Sequence, residues 1–237
     1  MLRLDFHADA AFQPIKLATE RGDVDCRYYR SPSSARNDKE VAILDERQSP
    51  PLAAVIFVTG VGGGWGTPAK GLYPRLCNSL SKEHGISAMR IRYRYPTDLL
   101  ESVFDVLAGI TFLKQNEQVR KIGLVGHSFG GAVVLQAAAA ASDTVSTVVT
   151  LATQSYGAID AVTRLKPDGS SNHVSLLLMH GTKDGVLPVR CSQQIHQMAS
   201  EPKRLVVFKG AGHGLDEASE EIYKLVYEWL VSYLISI

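Results

Sequence analysis

The chain alternates between short apolar runs and longer segments whose apolar residues recur with a helical period, and this alternation limits the possible folds more than any other feature. The runs are rich in β-branched residues and end near glycine or proline, which is typical of strands. The clearest runs are residues 53–59, 86–93, 121–126, 144–151, 174–180 and 204–209. Several are apolar throughout, as expected of parallel strands covered by helices on both faces. We therefore predict an α/β fold with a mainly parallel, twisted sheet of about eight strands flanked by helices.

Helical periodicity fills the segments between these runs. Apolar residues recur every three or four positions over residues 72–80, 99–110 and 222–233, and each stripe is wide enough to pack on a core. Residues 131–141 are small and rich in alanine, which suits a helix packed closely against a sheet. We interpret all four segments as core-facing helices.

The remaining segments predict a single domain. Residues 24–30 alternate Val, Cys and Tyr with charged residues, which indicates a half-exposed antiparallel strand, and residues 2–6 are a weaker candidate for another. Residues 31–51 are charged and contain proline, so we expect a loop or hairpin connection. Residues 154–172 are polar and form a short cap segment in our interpretation. No repeat or change of composition marks a boundary, so we predict one domain, 1–237.

Composition excludes several functional classes. The formal net charge of +1 gives no strong global field, so neither nucleic acid nor an anionic membrane is an expected partner. No apolar run approaches the roughly 18 residues that a membrane-spanning helix needs. Residues 1–20 lack the apolar core of a secretory signal. The three cysteines are far apart and indicate neither a disulfide framework nor a metal site. We expect a cytoplasmic protein without a metal.

The sharpest local signal is Gly126-His127-Ser128-Phe129-Gly130, which joins a predicted apolar strand to the helix of small residues. In that context, the pattern G-x-S-x-G makes a tight turn that lifts the serine hydroxyl above the sheet. Small residues two positions on either side of the serine let the backbone pass. The turn also places the next backbone N–H at a helix N-terminus, where developing negative charge is stabilised. Ser128 is therefore the candidate nucleophile; the alternative is a glycine-rich turn with an incidental serine.

A serine hydroxyl is a weak nucleophile until a base removes its proton, so a histidine and an orienting carboxylate are expected as well. Asp184 follows the run at 174–180 by a short turn, and His213 follows the run at 204–209. Both therefore lie at the carboxyl edge of the predicted sheet, as Ser128 does. The alternative acids are Asp160, Asp168 and Asp216, and the alternative base is His180. Asp184 is favoured over the other acids because only it follows a core strand by a short turn.

With these motifs in this order, the chain resembles the α/β-hydrolases from about residue 53 to its C-terminus, and within them the serine esterases of dienelactone-hydrolase type with a minimal lid. The antiparallel strands before residue 53 fit the opening hairpin of that superfamily. The resemblance implies that Ser128 is the nucleophile, His213 the general base and then acid, and Asp184 the carboxylate that orients His213. It also implies that the backbone N–H of Phe129 is one donor of the oxyanion hole.

The second oxyanion donor should come from the glycine-rich loop at residues 60–66. Many relatives have His-Gly before this donor, whereas this chain has Thr59-Gly60, so Val61 is the first candidate and Gly62 the second. The loop is not a Walker A loop, because no Gly-Lys-Ser/Thr follows. It matches a dinucleotide fingerprint only loosely, since Pro68 falls inside the pattern.

For the other polar residues near these motifs, a structural role is favoured over a catalytic one. His127 is expected to pack beneath the turn of the nucleophile, and His180 to satisfy a structural role at the end of a strand. Arg90, Arg92 and Arg94 alternate with apolar residues. We expect them to be solvated or ion-paired, or else Arg94 to steady the active-site loops or a substrate anion.

The segment at 154–172 is too short for a lid of several helices, so we predict an open cleft with Trp65, Phe129 and Tyr156 as apolar wall residues. The expected activity is hydrolysis of a carboxylic ester of a small substrate without a cofactor. Thioesterase or acyltransferase activity through the same triad and a non-catalytic binding protein on the same fold are the alternatives. We expect a monomer, or a homodimer formed through a free sheet edge or the apolar tail at 231–237.

Overall fold

A mixed sheet of eight strands organises the computed structural model, which describes residues 12–32, 52–165 and 173–235. The strands are β1 (Gln13–Leu17), β2 (Val24–Tyr29), β3 (Ala53–Val58), β4 (Ser87–Arg92), β5 (Lys121–His127), β6 (Val145–Leu151), β7 (Ser175–Gly181) and β8 (Lys203–Phe208). Their order across the sheet is β1-β2-β4-β3-β5-β6-β7-β8. The pairs β1–β2 and β2–β4 are antiparallel, and all other neighbours are parallel. The predicted α/β architecture is confirmed.

The helices connect successive strands and cover both faces of the sheet. They are α1 (Leu72–Glu83), α2 (Leu99–Asn116), α3 (Phe129–Ala140), α4 (Ala158–Arg164), α5 (Arg190–Met198) and α6 (Ser219–Ile235), with a 3₁₀ helix at Asp216–Ala218. One buried cluster lies between the sheet and α2, α3, α4 and α5, and a second between the sheet and α1 and α6. Every residue of β3 and β7 is buried, because these strands have neighbours on both sides and helices on both faces.

The strands predicted from apolar runs agree with the structure to within one or two residues. Four elements of the described residues were not predicted: β1, α4, α5 and the 3₁₀ helix at Asp216–Ala218. The candidate strand at 2–6 and most of the expected loop at 31–51 lie outside the described residues. The described part of the segment interpreted as a cap contains α4, and Ala158, Ala161 and Val162 of that helix are buried against α3. Residues 166–172 of the same segment are not described.

Backbone contact at the end of β5 explains the glycines around Ser128. A Cβ atom on Gly126 would lie 2.2 Å from the carbonyl oxygen of Gly130, and one on Gly130 would lie 2.4 Å from the carbonyl oxygen of Thr59. Both distances are shorter than any ordinary carbon–oxygen contact. The end of β5, the start of α3 and the residue after β3 therefore touch through their backbones, and no side chain fits between them.

This contact predicts that Gly126→Ala is strongly destabilising. The new methyl group would meet backbone rather than a movable side chain, so the free energy of unfolding should fall by about 2 to 3 kcal/mol. Urea denaturation measures the change. Gly62→Ala is the matched control, because a Cβ there would have no atom within 4 Å. Equal stability of Gly126→Ala and Gly62→Ala would contradict the prediction.

Candidate active site

Ser128 occupies the tight turn between β5 and α3. Its backbone has φ 57° and ψ −120°, a conformation that a residue with a Cβ atom adopts only where the surroundings enforce it. The surroundings do so with two hydrogen bonds: the Ser128 N–H donates to Leu151 O at 2.8 Å, and the Gly131 N–H donates to Ser128 O at 3.0 Å. The turn thereby holds the side chain at the carboxyl edge of the sheet and at the N-terminus of α3.

The structure brings together the three residues predicted from strand ends. His213 Nε2 lies 3.0 Å from Ser128 Oγ, and His213 Nδ1 lies 2.8 Å from Asp184 Oδ2. Because an ionised carboxylate only accepts hydrogen bonds, Nδ1 carries the proton of the neutral ring. The lone pair of Nε2 then faces the serine hydroxyl. This arrangement can withdraw a proton from Ser128 and hold it as an imidazolium beside a carboxylate.

The Asp184 carboxylate is fully enclosed, with a side-chain exposure of 0%. Its Oδ1 accepts hydrogen bonds from the backbone N–H groups of Val186 and Leu187, both at 2.8 Å. Burial raises the pKa of Asp184, but hydrogen bonds from the His213 ring and from the Leu187 and Val186 N–H groups outweigh this and hold it below its usual value. The carboxylate therefore stays ionised although it lies inside the protein.

His127 packs against the ring of His213, a contact that the sequence did not predict. The two ring centroids are 4.9 Å apart, and His127 Nε2 donates to the backbone carbonyl of His213 at 2.9 Å. Burial lowers the pKa of His127 to about 4, so the ring is neutral at ordinary pH. This neutral ring supports the loop that carries His213 without adding a second positive charge beside the imidazolium.

The loop after β3 lies directly beside Ser128. A Cβ on Gly60 would be 3.3 Å from Ser128 Cβ, so the backbone passes Ser128 in close contact. The Gly63 N–H donates to Gly60 O at 3.0 Å, which closes a turn with Val61 and Gly62 as its central residues. The two candidates for the second oxyanion donor are thus adjacent in one tight turn. Phe129, the other candidate donor, is the first residue of α3.

The three predicted wall residues differ in their surroundings. Tyr156 lies on the loop after β6, and it is 79% exposed. Phe129 is buried and makes an edge-to-face contact with Tyr93, with centroids 5.9 Å apart. The Trp65 ring has the Arg27 guanidinium over it, 4.4 Å from the ring centroid. The aromatic surface of Tyr156 is therefore the one that the protein itself covers least.

Arg94 is ion-paired and lies beyond the end of β4. Its guanidinium contacts Asp105 at 2.5 Å and Glu101 at 3.0 Å, both on α2, and the Asp105 side chain has no exposed surface. Arg92 is exposed and lies 3.7 Å from Asp25 on the neighbouring strand. Of the two expectations for these arginines, the ion-paired one describes both, and Arg94 joins β4 to the start of α2.

Arg90 holds the glycine-rich loop, a role that the sequence did not predict. It lies within β4, is only 3% exposed, and donates to the backbone carbonyl of Trp65. The same guanidinium also donates to Gly66 O at 3.4 Å. The available signal was a basic residue inside an otherwise apolar run, which requires buried acceptors.

Of the alternative acids, Asp160 and Asp216 have other surroundings than Asp184. Asp160 lies in the first turn of α4, and Asp216 accepts a hydrogen bond from the Lys70 N–H at 2.9 Å. Asp168 lies outside the described residues.

Within residues 12–32, 52–165 and 173–235, no group of three or more His, Cys, Asp or Glu side chains could hold a metal ion. In the same part of the chain, no helix is both long enough and apolar enough to cross a membrane.

Solved structures with the same fold cover almost the whole chain. A dienelactone hydrolase from Anabaena variabilis ATCC 29413 superposes with a TM-score of 0.74 at 18% identity, covering 94% of this chain and 98% of that one. Est1E from Butyrivibrio proteoclasticus gives a TM-score of 0.70 at 17% identity, covering 94% and 99%. XC6422 from Xanthomonas campestris, described as an α/β serine hydrolase without a lid, gives 0.67 at 16% identity, covering 96% and 97%. At these identities the likeness shows the fold.

Sequence comparison adds a curated relative and a family. The uncharacterized protein YfhR of Escherichia coli (strain K12) is 25% identical over 155 residues, which is 56% of this chain and 52% of YfhR. The chain thus matches about half the length of that relative. The model of the dienelactone hydrolase family matches residues 68–230, from the approach to α1 into α6. Since this match spans the strand ends that carry Ser128, Asp184 and His213, the chain belongs to the dienelactone hydrolase family.

Proposed function

We propose that the protein is a serine hydrolase that cleaves a carboxylic ester of a small substrate through an acyl-enzyme on Ser128. The observation that carries this proposal is the continuous hydrogen-bond chain from Ser128 Oγ to His213 at 3.0 Å and from His213 to Asp184 at 2.8 Å. The chain of contacts lies at the N-terminus of α3, where backbone N–H groups favour negative charge. Family membership and esterase neighbours support hydrolysis of esters as the reaction.

The proposed reaction has two halves, acylation and deacylation of Ser128, and the same residues act in both. His213 Nε2 takes the proton of Ser128 Oγ while Oγ bonds to the acyl carbon, and the carbonyl oxygen becomes an oxyanion. The backbone N–H of Phe129 and that of Val61 or Gly62 receive this oxyanion. Collapse of the intermediate breaks the ester C–O bond, and the leaving alcohol takes the proton from His213. A water molecule then attacks the acyl-enzyme with the same proton transfers, releasing the carboxylic acid and restoring Ser128.

Asp184 keeps the imidazole in the reactive tautomer. Its Oδ2 accepts from His213 Nδ1, so the free lone pair of the ring remains on Nε2 toward the serine. Its lowered pKa means that a full negative charge faces the imidazolium when that cation forms. Because the carboxylate is enclosed, this charge is not screened by solvent, and its attraction to the imidazolium is stronger than at a surface.

The substrate proposed for this site is an ester with a short or exposed acyl group. The exposed apolar side chains on the loops at the carboxyl edge of the sheet include Val61 after β3, with 53% exposure, and Tyr156 after β6, with 79%. Both offer a surface for one side of an acyl or alkoxy group and do not enclose it. Such a rim supports binding of small groups, because a long chain would leave most of its methylenes in water. No cofactor is part of the proposal, and a cytoplasmic monomer or homodimer stays a prediction from the sequence.

Labelling by a fluorophosphonate is the direct test of an activated serine. The wild-type protein should gain the mass of one adduct, because the probe requires a deprotonated hydroxyl, and Ser128→Ala should gain none. Intact-mass spectrometry measures both. Ser232→Ala, an exposed position on α6 remote from the site, is the matched control and should label like the wild type. A folded wild-type protein that gains no adduct would favour the non-catalytic binding alternative.

Asp184→Asn tests the role of the carboxylate. The amide cannot hold the His213 ring in the required tautomer or balance the imidazolium, so kcat should fall by up to about four orders of magnitude. Steady-state kinetics with a short-chain nitrophenyl ester measure the loss. Asp216→Asn is the matched control, since Asp216 is one of the alternative acids and its carboxylate accepts from the Lys70 N–H. Ordinary turnover in Asp184→Asn would assign the acid role to another residue.

Chain-length dependence tests the open cleft. Acetyl and butyryl esters should have a kcat/KM at least as high as that of a lauroyl ester, because the rim gives a long chain no enclosed surface. A panel of nitrophenyl esters below their critical micelle concentrations measures this ratio. A strong preference for the lauroyl ester would contradict the proposal of small substrates.

A further inference from the structure

Two histidine rings contact the same oxygen of the Asp184 carboxylate. His213 Nδ1 lies 2.8 Å from Asp184 Oδ2, and His180 Nε2 lies 3.1 Å from that atom on another side. The side chains of His180 and Asp184 both have an exposure of 0%, so water does not separate them. The catalytic mechanism described above uses His213 and Asp184 and gives His180 no part.

The hydrogen bonds of His180 assign its proton. Nε2 lies 3.0 Å from the backbone carbonyl of Leu187, which can only accept, so Nε2 carries a hydrogen. Nδ1 lies 2.8 Å from Ser192 Oγ on α5, whose hydroxyl can donate to the lone pair of Nδ1. Nε2–H donates to Leu187 O, and Asp184 Oδ2 lies 3.1 Å from the same nitrogen.

The position of His180 suits it to hold the turn that carries Asp184. It is the next-to-last residue of β7, and the turn runs from Gly181 through Asp184 to Leu187. The ring contacts the middle of the turn through the carboxylate and its end through the Leu187 carbonyl. Ser192 is itself fully buried and anchors the far side of the ring to α5. A buried polar pair of this kind is retained only when its members satisfy each other.

We propose that His180 is a positioning residue for the triad: its Nε2–H edge, anchored on Leu187 O, lies against Asp184 Oδ2 and limits the negative charge that this oxygen presents to His213. The proposal rests on the proposed function, since it assigns a second partner to the same carboxylate. Without the His180 N–H, Oδ2 would face His213 alone, the imidazolium would be more stable, and the His213 ring would protonate at higher pH. Ser192 acts one step further out by holding His180 in the tautomer that donates from Nε2.

Other charged and titratable groups around the two rings are the same in every variant compared below. The His127 ring lies against His213, Asp216 lies on the 3₁₀ helix that follows it, and Lys183 precedes Asp184 on the exposed side of the turn. None of them is altered, so a change in the titration of His213 reports the contact of His180 with Asp184.

The test is a pH titration of ¹⁵N-histidine-labelled protein by NMR. In His180→Leu, the titration midpoint of the His213 ring should rise by about half a pH unit or more. His180→Gln should return the midpoint toward that of the wild type, because its amide N–H can occupy the place of Nε2–H. Ser192→Ala should give a smaller shift in the same direction, since the His180 ring is then free to carry its proton on Nδ1. A merely structural role for His180 would lower stability without moving this midpoint.

Kinetics give a second readout on the same variants. The acid limb of kcat/KM should move to higher pH with the NMR midpoint, and kcat at its optimum should fall by about tenfold in His180→Leu. KM should change little, because His180 does not line the cleft. An unmoved His213 midpoint in folded His180→Leu overturns the proposal. If that variant does not fold, an unmoved midpoint in Ser192→Ala overturns it.

The failure of this proposal and that of the proposed function are distinguishable. A wild-type protein that gains no fluorophosphonate adduct refutes the hydrolase, whereas the NMR titration still measures whether His180 acts on His213 through Asp184. Conversely, a labelled wild-type protein with an unmoved midpoint in the variants leaves the hydrolase standing and removes the role of His180.

Discussion

The site depends on a place where three backbone segments touch with no side chain between them. Gly126 and Gly130 let the end of β5 and the start of α3 approach each other and the carbonyl of Thr59. That approach forces Ser128 into a conformation with positive φ and brings the loop after β3 against it. The packing of these three segments therefore places Ser128, the N-terminus of α3 and the glycine-rich loop together, and none of the three can shift without the other two.

A second constraint is the enclosed negative charge of Asp184. An isolated carboxylate inside a protein would be costly, and here two ring nitrogens and two backbone N–H groups surround it. These contacts extend the polar chain from Ser128, just after β5, to Ser192 on α5, through the loops after β7 and β8. The geometry of the site thus belongs to the sheet as a whole, because Ser128, Asp184 and His213 each follow a strand whose spacing the sheet fixes.

Much of this could be predicted from the sequence, for a physical reason. Parallel strands end at a common edge, so Asp184 and His213, each one short turn beyond an apolar run, had to lie near Ser128. The elements that were not predicted have weak local sequence patterns. β1 is short and mostly exposed, α4 has seven residues, and α5 buries few of its side chains, so their local patterns are weak and tertiary packing decides them. The contact of His180 with Asp184 requires a side-chain direction that no spacing encodes.

The exposure of Tyr156 bears on how this architecture can diversify. Its ring projects from a loop and contributes little to either buried cluster, so replacing it should leave the free energy of unfolding nearly constant, and under the proposed function it would change the surface that a ligand meets. Residues such as Gly126 are the reverse, since any change there acts on stability first. Under the proposed function, single substitutions at Tyr156 could therefore change ligand preference, because selection for a stable fold constrains that position little.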